Sequence, residues 1–412
     1  MTNCDVVQVL CCRRPSTPVA LNLRMCMSRP VSYVVAMLAA VSSVAAVAAP
    51  SGNMAASTLP LPVSGAGIAG LNYVAAPMYV TTEVATAAGL DTAYNDRHRP
   101  EYGGALSGVG RLRLNEDKVS GFGTSCSGAL LSGGMHVLTA AHCVTNASGT
   151  LEVDLVGTNN YVNFPIVSTG AHGLGNLNAA AGKVAIQSVT VHPGWTGDYV
   201  FGGNDIAIIT LANVAPTAAA RYDIYTGSDE VGSVNTKSGW GRVGDGNTGA
   251  STGSGWRQGQ NVWDMNAQTF WDGLAVANSN ILMYDFDNGV AANDAFGYYF
   301  GAGAADLGLG NIEVLSSNGD SGGPSFINGK VAGITSFGIT FTDTTGGGCV
   351  AANPDLLCGL DNSFGEFAGD TRVAGYASWI NAQIGAPVPE PETYALMLAG
   401  LGLLAAARRR RG

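Results

Sequence analysis

The chain has 412 residues, 46% of them hydrophobic and only 12% charged, with 58 glycines, which excludes a coiled coil or a charged disordered chain. Its formal net charge is −10. The basic residues gather at the two ends, so residues 49–389 hold twelve basic against twenty-seven acidic groups, a balance that repels phosphate backbones and excludes nucleic acid as a partner.

Residues 1–48 are read as an N-terminal extension and signal peptide. From Met27 one Arg precedes a long apolar run that ends in Ala46-Val47-Ala48, the charge, apolar stretch and small-residue exit of a secretory signal. A retained N-terminal membrane helix is the competing reading. Residues 1–24 fit neither, so Met25 or Met27 is the expected start. Four cysteines precede the apolar run, leaving Cys126, Cys143, Cys349 and Cys358. An even set in an exported chain points to two disulfides, and with no C-x-x-C pair a zinc site is not expected.

Residues 49–105 are rich in Ala, Gly and Pro and predict a leader or propeptide-like linker without a definable element. From Gly110 onwards short β-type runs alternate with Gly, Asn and Ser: 128–132, 136–140, 184–192, 205–211 and 331–339. Such spacing predicts a sandwich or barrel. Residues 244–310, dense in Gly, Asn and Asp, predict an elaborated loop region. In 371–384, Val373, Tyr376, Ile380 and Ile384 fall at helical spacing and predict a short docking helix.

Three separated segments carry chemistry. Thr139-Ala140-Ala141-His142-Cys143 ends a strand-like run, Asn204-Asp205 precedes an apolar strand, and Ser321 sits among glycines in Asn318-Gly319-Asp320-Ser321-Gly322-Gly323-Pro324. Each alone reads as ordinary structure: a packed His, a strand-capping Asp, a tight turn. Together they supply the three roles of acyl transfer. Ser321 is the nucleophile, His142 takes its proton, and Asp205 holds the imidazole in one tautomer. A Gly two residues before the nucleophile lets the N–H groups of Gly319 and Ser321 face a developing oxyanion.

These segments resemble the trypsin/chymotrypsin family of serine proteases, in family order, as TAAHC, NDIAII and GDSGGP. Lesser echoes are CSGALL, VHPGW, SGWG, ITSFG and TRVAGYASWI. The resemblance spans about residues 110–384 and implies an all-β fold of two antiparallel six-stranded β-barrels, with a short C-terminal helix, over residues 106–385. It implies a serine endopeptidase that cleaves protein or peptide substrates without a cofactor or metal. It further implies a Cys126–Cys143 disulfide, substrate pairing along Ser336, Phe337 and Gly338, a hydrogen bond from Ser336 to the buried Asp205, and Asp320 as the group that receives a new N-terminal amine on activation.

The sequence departs from the family at Ser317, where a Cys is usual, and at Leu315, where trypsin-like members carry Asp. Cys349 and Cys358 are therefore expected to close a local loop, and Leu315 to favour an apolar or small side chain before the cut. The family's mature terminus is missing; its nearest echo is Glu101-Tyr102-Gly103-Gly104. A non-catalytic surface or matrix binding protein on the same scaffold, and an esterase, are the alternatives. Asp285-Phe286-Asp287-Asn288-Gly289 echoes a calcium loop, but Phe296 stands where an EF-hand needs Glu. Trp240, Trp256, Trp263 and Trp271 admit either a sugar platform or packing.

Residues 386–412 run through Pro389-Glu390-Pro391, an apolar stretch at 394–407 and four Arg. This order resembles the PEP-CTERM sorting signal of Gram-negative bacteria, which implies exosortase-type machinery as a partner and delivery to the cell surface or outside. A transient transmembrane contact through this tail is expected, with a plain anchor as the alternative.

Overall fold

The computed structural model describes residues 63–66, 71–76, 98–121, 123–166, 180–271, 277–342 and 354–385. All belong to one compact unit, Met54–Gly412. The signal-peptide segment, Cys349 and the sorting tail lie outside them.

Seventeen strands follow in chain order. The first eight are β1 (Val63–Ala66), β2 (Asn72–Ala76), β3 (Val109–Glu116), β4 (Thr124–Leu130), β5 (His136–Thr139), β6 (Asn159–Asn163), β7 (Lys183–Val191) and β8 (Ala207–Leu211). Then come β9 (Val234–Gly239), β10 (Arg242–Asp245), β11 (Gly249–Ser254), β12 (Arg257–Val262) and β13 (Met265–Asn266). The last are β14 (Ile281–Asp285), β15 (Pro324–Ile327), β16 (Lys330–Thr342) and β17 (Phe367–Arg372). Helices are short: α1 (Ala267–Phe270), α2 (Ala295–Phe300) and α3 (Ala377–Ile384).

Strands β3-β4-β5-β8-β7-β6 close into a six-stranded barrel. Its filling follows from the strand period of two: Leu112 and Leu114 of β3 are buried, while Arg111 and Arg113, which alternate with them, are partly exposed. The apolar run after Asp205 goes fully inside, with Ile206, Ala207, Ile208 and Ile209 at most 1% exposed. The second half is a curled sheet in the order β12-β9-β15-β16-β17-β14-β13. The fold is thus mostly β as the sequence predicts. The second half is an open sheet rather than a closed six-stranded barrel: its path ends at β12 and β13 without closing, and β2, carrying β1, joins β16 off that path.

Two regions carry more structure than their composition suggests. Residues 244–310 hold β11 to β14 and two helices. In β12 the buried residues are Arg257, Gly259 and Asn261, a polar set that no hydropathy pattern reveals. In the leader, β1 and β2 form a hairpin whose small residues find their partner in the distant β16. The helix at the end is as expected. Val373 and Ile380 are fully buried and Tyr376 nearly so, on a 3₁₀ turn (Val373–Tyr376) that runs into α3.

Candidate active site

His142 stands in a 3₁₀ turn (Ala141–Cys143) directly after β5, and is fully buried. The disulfide between Cys126 of β4 and Cys143 ties this turn to the barrel wall. Asp205 precedes β8 and follows Asn204, which takes the left-handed conformation (φ 60°) that Asn tolerates better than most residues. That turn aims the Asp205 carboxylate at His142. Oδ1 accepts the His142 backbone N–H at 2.8 Å and Oδ2 lies 2.6 Å from Nδ1.

A third donor comes from the other half of the molecule. Pairing of β16 with β17 slips between Thr335 and Phe337, so Ser336 is the extra residue of a bulge. Such a bulge turns a side chain out of the ladder. Ser336 Oγ donates to Asp205 Oδ2 at 2.5 Å, and Thr371 Oγ1 of β17 donates to the Asp205 carbonyl at 3.0 Å. The carboxylate is thereby bound by both halves, which fixes the imidazole tautomer with its proton on Nδ1.

Ser321 lies beside this pair. Its carbonyl accepts the Ser127 N–H at 2.8 Å, and the Cys143 sulfur sits 3.4 Å from that carbonyl and 4.0 Å from His142 Nε2. No hydrogen bond joins Ser321 Oγ to Nε2 among the described residues. Gly319 (φ 107°) and Gly322 (φ 78°) turn the chain on either side of Ser321. A Cβ on Gly322 would meet Thr139 Oγ1 at 2.0 Å, so only glycine fits. The Gly319 carbonyl is held by Ser127 Oγ at 3.0 Å, while the N–H groups of Gly319 and Ser321 have no hydrogen-bond partner among the described residues. The two N–H groups thus stand on either side of the Asp320 peptide at the buried residue Ser321.

The trypsin family profile matches residues 110–261, and the PEP-CTERM protein-sorting motif matches residues 387–411. Brachyurin of Leptuca pugilator is 30% identical over 264 residues, spanning 63% of this chain and 88% of its own length. The chain belongs to the trypsin family of serine proteases. Chymotrypsin-like elastase family member 1 of Bos taurus is 25% identical over 286 residues, covering 66% of this chain and 84% of its own. A collagenase structure (HL collagenase) superposes with a TM-score of 0.44 at 17% identity, over 70% of this chain and 98% of the other.

Where this trypsin-family chain departs from the expected motif, the structure places something new. Leu315 is buried with Trp263, Leu282, Tyr284 and Phe286. It lines a small pocket with Arg257, Ser316 and Asp320. Next to it, Lys237 of β9 donates at 2.6 Å to Asp370 of β17, 2.6 Å to Ser325 Oγ, and lies 4.2 Å from the Tyr284 ring centre. Burial lowers the Lys237 pKa and Asp370 opposes that shift. Tyr284 in turn shares a hydrogen bond with Ser316 at 3.0 Å. Sequence reading missed this pair. Its trace is a Lys and an Asp, each at a buried position of a strand.

Asp320 is buried, and its Oδ1 accepts the Gly241 N–H. Burial raises its pKa well above the ordinary range, while Gly241, Arg257 and Lys237 pull it back. Glycine in the strand-turn motif SGWG permits this contact, since a Cβ on Gly239 would lie 2.1 Å from Asp320 Oδ1. Tyr102 of the candidate activation segment stacks edge-on against Trp256 at 5.4 Å. The four tryptophans are at most 4% exposed, so packing accounts for them and a sugar platform does not.

The Cys126, His142 and Cys143 side chains meet closely, but the disulfide consumes both sulfurs as metal ligands. Asp285, Asp287 and Asp294 form a second buried cluster, of carboxylates alone. Burial pushes Asp287 up to about 11 and its neighbour Glu313 to about 7. Cys358 is disulfide-bonded, and Cys349, its expected partner, lies outside the described residues. The transmembrane expectation is corrected: among the described residues no helix is long and apolar enough to cross a membrane. The apolar runs that prompted it lie outside those residues.

Proposed function

We propose that the chain is a surface-sorted serine endopeptidase that hydrolyses peptide bonds through an acyl-enzyme. The observation that carries this reading is the Asp205 carboxylate, which grips the His142 ring and backbone at once, beside Ser321 and two unpartnered N–H groups. Ser321 Oγ attacks the scissile carbonyl carbon and passes its proton to His142 Nε2. His142⁺, stabilised by Asp205, hands that proton to the leaving amine, and water repeats the sequence to release the acid. Gly319 and Ser321 N–H groups hold the oxyanion in each half, a contribution of about 3 kcal/mol per donor. The open Ser321–His142 geometry fits a free site whose hydrogen bond tightens on substrate.

Ser336, Phe337 and Gly338 are the edge to which peptide backbone adds as a strand. Leu315 in an apolar setting favours a small or apolar residue before the cut, in keeping with the elastase named among the relatives. Asp320 is the group that a new amine released at Tyr102 would reach. We read 1–48 as the extension and export signal, 49–105 as a leader, 106–385 as the protease domain and 386–412 as the tail processed by exosortase-type machinery. Casein cleavage by the secreted protein, lost in Ser321→Ala, is the test; undiminished cleavage by that variant overturns the assignment.

A further inference from the structure

From Gly338 onward the β16 edge is filled by the chain itself. β15 pairs with β16 only as far as Ile334, whereas β2 pairs antiparallel with its far end: Gly338 opposite Ala76, Ile339 opposite Ala75, Thr340 opposite Val74, Phe341 opposite Tyr73. Ser336 and Phe337 are left between the two partners. The C-terminal end of β2 is therefore its nearest to Ser336, which in turn holds Asp205.

The strand is anchored by side chains as well as backbone. Tyr73 is buried and packs edge-on against Trp271 at 5.1 Å and Phe201 at 5.8 Å. The Ala75 carbonyl accepts from Tyr199 OH at 3.3 Å, and the Tyr199 ring lies 6.4 Å from the His142 ring. β1 covers the outer edge of β2, so β2 is an interior strand of this sheet.

We propose that β2 is a built-in occupant of the peptide-binding edge, lying antiparallel along β16 where an extended substrate would continue from Gly338 onward. This rests on the peptidase reading above. A peptide that pairs beyond Phe337 must displace β2, and a tethered strand competes at millimolar effective concentration. The device selects short or accessible peptides until the leader is removed or displaced.

The test compares the full chain, a Val74→Pro variant and a form lacking residues 63–76 on long fluorogenic peptides, with a fluorophosphonate titre of Ser321 in each. Equal titres with a KM at least tenfold lower in both altered forms are expected, with kcat little changed. A synthetic Asn-Tyr-Val-Ala-Ala peptide should inhibit the shortened form competitively, and the fluorophosphonate titre reports whether that form is folded. Equal titres with unchanged KM and no inhibition overturn the proposal while leaving the peptidase reading intact. No labelling in any form overturns both.

A separate observation concerns the carboxylate cluster. Asp285 closes β14, Asp294 caps α2, and Asp287 lies on the turn between them; one oxygen of each falls within 4.8 Å of the others. Backbone N–H groups of Ala295 and Phe296 engage Asp285 Oδ2, and that of Gly297 engages Asp294 Oδ1. Asp287 Oδ1 is buried and accepts no hydrogen bond among the described residues, on a residue only 3% exposed. Asp264, Asp306 and Glu313 add to the negative potential here. No Lys, Arg or His pairs with the cluster among the described residues.

We infer that Asp285, Asp287 and Asp294 hold a calcium ion. Oxygens within 4.8 Å of one another suit an ion with Ca–O distances of about 2.3–2.6 Å. The ligands come from a strand end, a turn and a helix cap, so Phe296 at the EF-hand position is no obstacle. Equilibrium dialysis of the chelator-stripped full chain against calcium should show about one bound ion and a Tm that rises with calcium. Asp287→Asn should weaken binding at least tenfold. Native protein that binds no calcium at millimolar concentration, with an unmoved Tm, overturns the assignment.

Discussion

Lys237 and Asp370 face each other at 2.6 Å across β9 and β17, with side chains 5% and 0% exposed. Neither could stay charged there alone, and Ser325 and Trp263 complete the coordination of Asp370 Oδ2. Lys237→Met leaves that carboxylate uncompensated and should cost about 3–5 kcal/mol in urea unfolding. Replacing both partners with apolar residues should recover most of it. A single variant within about 1 kcal/mol of the parent contradicts the pairing.

Gly239 and Asp320 make a sharper case, because they link packing directly to the proposed oxyanion donors. The 2.1 Å approach leaves no room for a methyl group, so Gly239→Ala must move Asp320 and with it the Gly319–Ser321 turn. Loss of peptide hydrolysis of 10²-fold or more is expected, carried in kcat, with the far-ultraviolet spectrum retained. Full activity in this variant would show that Asp320 does not position those donors.

The disulfide at His142 closes a loop with a sequence separation of 17. Replacing Cys126 and Cys143 with Ala should lower stability by about 3 kcal/mol, the entropy of a loop of that size. It should also lower activity more than a disulfide placed elsewhere would, because the turn carrying His142 loses its tether to β4. Thermal unfolding together with kcat separates the two effects.

His192 docks the C-terminal helix: its ring lies edge-on to Tyr376 at 5.1 Å and to Trp379 at 5.0 Å, and its Nδ1 accepts the Gly194 N–H. Burial lowers its pKa below the ordinary 6.5. The unfolded chain then binds a proton that the folded chain resists, so this contribution to stability is lost as pH falls through the ordinary imidazole range. Tm should fall between about pH 7 and pH 5.5, and His192→Gln should flatten part of that slope. An identical slope in the variant would remove His192 from the account.

The residues meeting at the candidate site were legible from the sequence because each sits in a short motif whose chemistry is local. His142 ends a strand, Asp205 begins one, and Ser321 needs glycines on both sides. The helical face of Val373, Tyr376 and Ile380 was legible for the same reason, a periodic pattern within one segment. What escaped has partners far apart. β2 is made of small residues that gain a strand only from Gly338 to Thr342, and Lys237 reads as a surface residue until Asp370 lies opposite. Arg257, Gly259 and Asn261 form a buried face of polar and small residues, invisible to any hydropathy pattern.

The most direct measurement treats the full chain with a fluorophosphonate and locates the adduct by mass spectrometry. The account predicts one modified residue, Ser321, with labelling abolished in His142→Ala and slowed by about 10⁴ in Asp205→Asn. A folded protein that stays unlabelled, or is labelled at another residue, or reacts equally well without His142, contradicts it.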